Sequence, residues 1–206
     1  MDQPKNIDTN KTRKNSREFY NIFYLFYPFV DIFLRPQKRL LFQELNKLPK
    51  GNVLEIGIGN GRHIRHYGKH RVTGIDTSDK MVHYARRFES ENVDIIEMDG
   101  QNLQFQDQSY DYIVLSYVVS VVENPEKLLA ESHRVLKKGG KLFILNHFTP
   151  NNALKYLDLL FQKISHIFYF QSFFDINDIR TIQLFRLLDN RPIGPLSYFK
   201  LLIYQK

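Results

Sequence analysis

The stretch Leu142 to Phe148 reads LFILNHF, an apolar run that stops on an amide and an imidazole, Asn146 and His147. An imidazole titrates near neutral pH and an amide donates and accepts, so this pair is equipped to orient a ligand and to move a proton. A second candidate is the turn Glu55-Ile-Gly57-Ile-Gly59-Asn-Gly61-Arg62, whose glycines permit a tight bend and a close approach of ligand to backbone. Single acids end two further apolar runs, at Asp76 and Asp99, and a polar pair, Ser116 and Tyr117, ends a third. A dinucleotide fingerprint needs a glycine or alanine three residues after Gly59, and Arg62 stands there, so the turn does not read as a pyrophosphate site.

These residues are scattered in sequence, so the elements between them must bring them together. NVLEIG (52–57), RVTGID (71–76), VDIIEMD (93–99), YDYIVLSY (110–117) and KLFILNH (141–147) read as short buried strands. Between them, GNGRHIRHYG turns into a helix, and Ser78 can cap a second helix through DKMVHYARRF. A third starts at Asn124, Pro125 and Glu126 and runs to Leu136, where Lys137, Lys138, Gly139 and Gly140 close it. Strands alternating with helices predict an α/β fold, a mostly parallel sheet with helices on both faces. Phe185–Asp189 and Tyr198–Tyr204, separated by NRPIGPLS, read as an antiparallel pair that completes a seven-stranded sheet. Ligands of such sheets sit at the carboxyl ends of the strands, and that rule gathers Glu55, Gly57, Asp76, Asp99, Ser116, Tyr117, Asn146 and His147 along one edge.

Composition bounds what this edge can serve. At 206 residues and 43% hydrophobic, the chain has the make-up of a single globular domain. The absence of cysteine excludes disulfides and thiolate metal sites, and the N-terminus lacks an apolar signal-type core, so a cytoplasmic setting is expected. The net charge of +7 is concentrated early: residues 1–50 hold ten lysines and arginines against five acids. Within them FYNIFYLFYPFVDIF (19–33) is aromatic at eight of fifteen positions. Pro28 divides this segment into two short helices, the second restarting at Phe29. Rings bracketed by Arg17 and by Arg35, Lys38 and Arg39 suit a helix lying in a membrane interface, or a lid over the core.

The spacing E-x-G-x-G-x-G, with Asp76 and Asp99 at the next two strand ends, resembles the class I S-adenosylmethionine-dependent methyltransferases, which share a Rossmann-like sheet. The resemblance implies S-adenosylmethionine as cofactor and S-adenosylhomocysteine as product. It implies that Asp76 binds the ribose hydroxyls, Asp99 accepts from the adenine amine, the Gly57–Gly61 backbone lines the methionine moiety, and Glu55 holds the turn. Thr77, Gly100, Ser116 and Tyr117 complete the cofactor set. More narrowly, VLEIGIGNGRHIRHY, the block SYVVSVVENPEKLLAESHRVLKKGGKLFILNHF and the aromatic N-terminal helix ending in Arg35 resemble bacterial phospholipid N-methyltransferases over roughly residues 18–148. Asn60 departs from the threonine usual in that group's turn. This likeness implies stepwise methylation of phosphatidylethanolamine to phosphatidylcholine. An ammonium has no lone pair, so such an acceptor must first lose a proton; His147 is the candidate base, Asn146 orients the acceptor or a phosphate oxygen, and Tyr20 closes the pocket.

The chain is thus expected to form one methyltransferase domain over 1–206. Residues 1–50 form the lid or membrane contact, 51–148 the cofactor core and 149–206 the substrate side. His63, His66 and His70 lack carboxylates at ligand spacing and read as a solvated basic face rather than a metal site. NNALKYLDLLFQKISHIFYFQSFF (151–174) reads as an amphipathic helix and ring-rich turn serving as acceptor pocket, membrane contact or dimer surface. Three functions compete. One is a lipid headgroup enzyme peripheral to the inner face of an anionic membrane. Another is a soluble methyltransferase for a quinone precursor, polyamine or natural product. The third, a nucleic-acid enzyme, is disfavoured because Ser116-Tyr117-Val118 stands where a base-pocket motif belongs.

Overall fold

The computed structural model describes residues 27–147, 176–193 and 199–206, with backbone alone for 27–36 and 147. Five strands pair in parallel, and two more extend the sheet through antiparallel pairs. They are β1 (Asn52–Ile56), β2 (Arg71–Asp76), β3 (Val93–Glu97), β4 (Tyr110–Ser116), β5 (Leu136–His147), β6 (Arg186–Ile193) and β7 (Phe199–Gln205), in the order β3-β2-β1-β4-β5-β7-β6. β7 runs antiparallel to β5 and to β6. The strand order reverses between β1 and β4, and the crevice at a reversal is where such sheets take ligands.

Alternation along the strands separates two cores. On one face Val53, Val72, Val114, Phe143, Leu145 and Leu201 pack under Leu41, Phe42 and Leu45 of helix α1 (Tyr27–Asn46). On the other, Leu54, Ile56, Ile113, Leu115, Leu142 and Ile144 pack with Leu128 and Leu129 of α3 (Pro125–Val135). The intervening helix α2 (Asp79–Ala85) buries Val82 and Ala85 against Ile58, Ile64 and Ile95. Its cap is the expected one, Met81 N donating to Ser78 Oγ at 3.3 Å. α3 starts the same way: Lys127 N donates to Asn124 Oδ1 at 3.0 Å, with Pro125 in the first turn.

Four elements differ from the sequence reading; one is β6, which takes in Asn190–Ile193 from the stretch read as a separator because these residues continue the antiparallel pairing with β7. GNGRHIRHYG forms only a 3-10 turn, Ile64–Tyr67, because Gly57, Gly59, Gly61 and Gly68 all take positive φ and β2 begins at Arg71, leaving no length for a helix. α1 begins at Tyr27 with Pro28 in its first turn. It does not end at Arg35 but continues through Pro36 to Asn46, since the stripe Lys38, Leu41, Phe42 and Leu45 buries against the sheet and outweighs one lost backbone hydrogen bond. α3 stops at Val135, and Leu136 already pairs with Tyr110 as strand. Lys137 therefore does not cap the helix; its ammonium lies 2.7 Å from Asp111 Oδ1.

Candidate active site

β1 ends in the glycine turn, and its geometry follows from what surrounds it. The amides of Gly57 and Ile58 both donate to Ile75 O, at 2.8 and 2.9 Å, tying the turn to β2. Gly57 has φ 78°, and a Cβ there would lie 2.3 Å from Val118 Cγ2. At Gly61, with φ 71°, it would lie 3.0 Å from Ala85 Cα. Side chains are excluded at both positions because Val118 and Ala85 pack against the turn, in which Gly59 and Gly61 are buried and Gly57 and Asn60 half-buried.

Asp76 closes β2, and its carboxylate is held from two sides: Gly59 N donates to Oδ2 and Ser78 N to Oδ1, each at 2.9 Å. Desolvation pushes the Asp76 carboxyl above the ordinary 3.8, against the pull of these backbone donors. Thr77 beside it is exposed. Asp99 stands two residues beyond the end of β3, where its Oδ1 accepts from Gln101 N at 2.9 Å and Gln101 Nε2 at 3.1 Å. The Gln101 Oε1 in turn accepts from Asn124 N at 3.0 Å, so the loop is pinned to the start of α3. Gly100 keeps it close to β1: a Cβ there would meet Ile56 Cγ2 at 2.5 Å.

At the ends of β4 and β5 the polar groups are buried. Tyr117 has φ 62°, a strained value for a residue with a side chain, and is fixed by its N–H to Leu145 O at 2.8 Å and an edge contact with Phe199. Asn146 is fully buried and accepts at Oδ1 from Ser120 Oγ at 3.2 Å. Its Nδ2 and the Ser116 Oγ are buried without a hydrogen-bond partner, a costly state unless a ligand supplies one. His147 holds register with Phe199 at the strand end. The side chain of His147, all of Tyr20 and the segment 151–174 lie outside the described residues.

Glu55 is fully buried beneath the turn and is held by residues that sequence reasoning did not connect to it. Tyr67 OH donates to Oε2 at 2.6 Å, and His63 Nε2 lies 2.9 Å from Oε1 and 2.8 Å from Oε2. Burial and the neighbouring carboxylate push the Tyr67 hydroxyl well above its usual value, so it remains a donor. The three histidines are therefore not a solvated face. His70 is buried too, accepting from Gly51 N and donating to Leu45 O, both at 3.3 Å, and burial lowers its pKa; only His66 is exposed. Among the described residues no three such side chains gather as a metal site. The missed partners left faint signals: Ser120 is a hydroxyl within a valine run, and His63 and Tyr67 share a four-residue spacing.

Residues 54–144 match the family model described as a methyltransferase domain. A phosphatidylethanolamine N-methyltransferase of Cereibacter sphaeroides is 32% identical over 164 residues, 76% of this chain and 80% of that protein. The chain belongs to the S-adenosylmethionine-dependent methyltransferases. Its methyl donor is S-adenosylmethionine and its product S-adenosylhomocysteine. A demethylmenaquinone methyltransferase of Staphylococcus epidermidis is 34% identical over 88 residues, 42% of this chain and 36% of that protein. A methyltransferase structure from Thermotoga maritima superposes with a TM-score of 0.68 at 22% identity, covering 91% of this chain and 99% of that one.

The edge suits this donor. The molecule offers an ammonium, a carboxylate, a ribose diol and an adenine amine. The glycine turn keeps Gly57 and Asn60 half-buried rather than closed off, and the Asp76 carboxylate, with about four lone-pair sites, has capacity beyond its backbone bonds from Gly59, Ser78 and Thr77.

Proposed function

We propose that this methyltransferase N-methylates the headgroup amine of a phospholipid, converting phosphatidylethanolamine towards phosphatidylcholine at an anionic membrane surface. The observation that carries this reading is the extent of the likeness. The Cereibacter alignment spans 164 residues, 76% of this chain, and so extends past the 54–144 stretch that the family model covers. Quinone and thiol methyltransferase relatives match over shorter stretches, 88 to 125 residues. Asp76 would take the ribose hydroxyls and Asp99 the adenine amine, with Thr77 and Gly100 beside them. The Gly57–Gly61 backbone would line the methionine part, Glu55 would hold the turn, and Ser116 and Tyr117 would bound the transferring methyl.

Transfer from a sulfonium is an in-line displacement, so the protein's task is to align the acceptor nitrogen and exclude water. Asn146 would present its unpaired Nδ2 to an acceptor oxygen, with Ser120 fixing the amide's orientation. His147 would remove the ammonium proton, and Tyr20 would close the pocket. No helix among the described residues is long and apolar enough to cross a membrane, which fits a peripheral enzyme equally with a soluble one.

A soluble acceptor such as a quinone precursor is the second reading. It is favoured by Lys38, one of the cations bracketing the aromatic segment, which is buried against the protein instead of facing lipid. Expression in a bacterial host that makes phosphatidylethanolamine but no methylated derivatives separates the two. Mono-, di- or trimethylated lipid in the extract supports the lipid reading; an unchanged lipid profile alongside intact cofactor binding favours the soluble one.

A further inference from the structure

Lys38 is 6% exposed, on the face of α1 that packs onto the sheet, with Nζ 3.4 Å from His63 Nδ1. An ammonium can only donate, so Nδ1 accepts, and the Nε2 proton faces the Glu55 carboxylate at 2.8 to 2.9 Å. Phe42 of α1 stacks on the His63 ring and meets Tyr67 edge-on, shielding the set from water. A lysine and a glutamate are thus buried together and bridged by one imidazole. Glu55 lies two residues before Gly57, at the foot of the cofactor turn. Burying two charges is costly, and removing either one takes away part of what stabilises the other.

Resting on the family's use of S-adenosylmethionine, we propose that Lys38 is a positioning residue: the chain Lys38–His63–Glu55 couples the docking of α1 to cofactor binding. With Lys38 seated, His63 and Tyr67 occupy both Glu55 oxygens and hold the turn in its binding geometry. When α1 lifts, His63 loses the donor to Nδ1, its ring is free to rotate, and the Glu55 carboxylate loses one of its two anchors. Coupling between sites is reciprocal, so a cofactor that prefers the ordered turn tightens α1.

The test uses the full chain and S-adenosylhomocysteine, with calorimetry for affinity and hydrogen exchange for the α1 backbone. In the wild type, S-adenosylhomocysteine slows exchange across residues 37–46. Lys38→Met weakens its binding about ten-fold and abolishes the ligand-dependent slowing, Lys38→Arg recovers part of both, and Arg39→Met, on the exposed side, changes neither. A purely structural lysine would lower α1 protection equally with and without ligand, and that result overturns the proposal. Slowing that persists in Lys38→Met, which marks direct contact of ligand with α1, also overturns it. If Lys38→Met does not fold, the wild type alone decides: bound ligand with no change in α1 exchange contradicts the coupling. Wild type that binds no ligand contradicts the cofactor site itself, a distinct failure.

Discussion

Asp76 joins the glycine turn to the end of β2, and its desolvation has a pH consequence. Its folded pKa lies above the ordinary 3.8, so its contribution to folding is present in full below that value and lost as the pH rises through the folded value. Under the proposed ribose contact, ligand binding runs the other way, because hydroxyls donate to an ionised carboxylate. Affinity for S-adenosylhomocysteine, titrated by calorimetry from neutral pH downward, is expected to fall at a pH above the usual aspartate range, and Asp76→Asn is expected to remove that step. Asn146 carries a different expectation. Asn146→Ala removes a buried donor with no partner in the protein, so acceptor KM or kcat should worsen by about ten-fold or more while S-adenosylhomocysteine affinity holds. Steady-state kinetics with parallel calorimetry check this. The single residues at strand ends were legible in the sequence because each interrupts an apolar run. The groups holding them were not: His63, Tyr67 and Ser120 reach Glu55 and Asn146 only through the folded chain.

The elements show where local pattern suffices and where packing overrides it. β1 to β5 were readable because each is an apolar run ending on a polar residue or glycine, and the caps of α2 and α3 were readable because Ser78 and Asn124 precede their first turns. The stretch after Gly61 was not, since its helical-looking composition is overruled by glycines that must take positive φ. Gly57→Ala combines an unfavourable φ with a contact against Val118, and should cost about 1–3 kcal/mol of stability as well as cofactor affinity. Chemical denaturation measures the first and calorimetry the second. The aromatic helix read as ending at Arg35 because a sequence does not reveal how much apolar surface lies beyond that point to be buried. A stabilising element away from the site is Arg134. It donates to Leu103 O and Phe105 O at 2.9 and 2.8 Å and pairs with Glu131 and Asp107, clamping the loop after β3 to α3. Arg134→Ala should cost about 1–3 kcal/mol in urea unfolding while cofactor affinity changes little.

For the whole molecule, the sheet order β3-β2-β1-β4-β5-β7-β6 puts the glycine turn and Asp76 on one side of the strand reversal and Ser116, Tyr117 and Asn146 on the other, along one edge. The two cores divide the work: α1 shields the face containing Glu55, and α3 braces the face on which Asn146 is buried. Family and cofactor follow from that frame and from the relatives that share it. Acceptor choice does not, because the same core serves lipid, quinone and thiol relatives. The most direct measurement is transfer of labelled methyl groups from S-adenosylmethionine to liposomes of stated composition, with and without phosphatidylethanolamine and with an anionic lipid added, products separated by headgroup. The account predicts label in mono-, di- or trimethylated phosphatidylethanolamine, increased by the anionic lipid. Absence of label in every lipid, with S-adenosylhomocysteine binding confirmed on the same preparation, would contradict it.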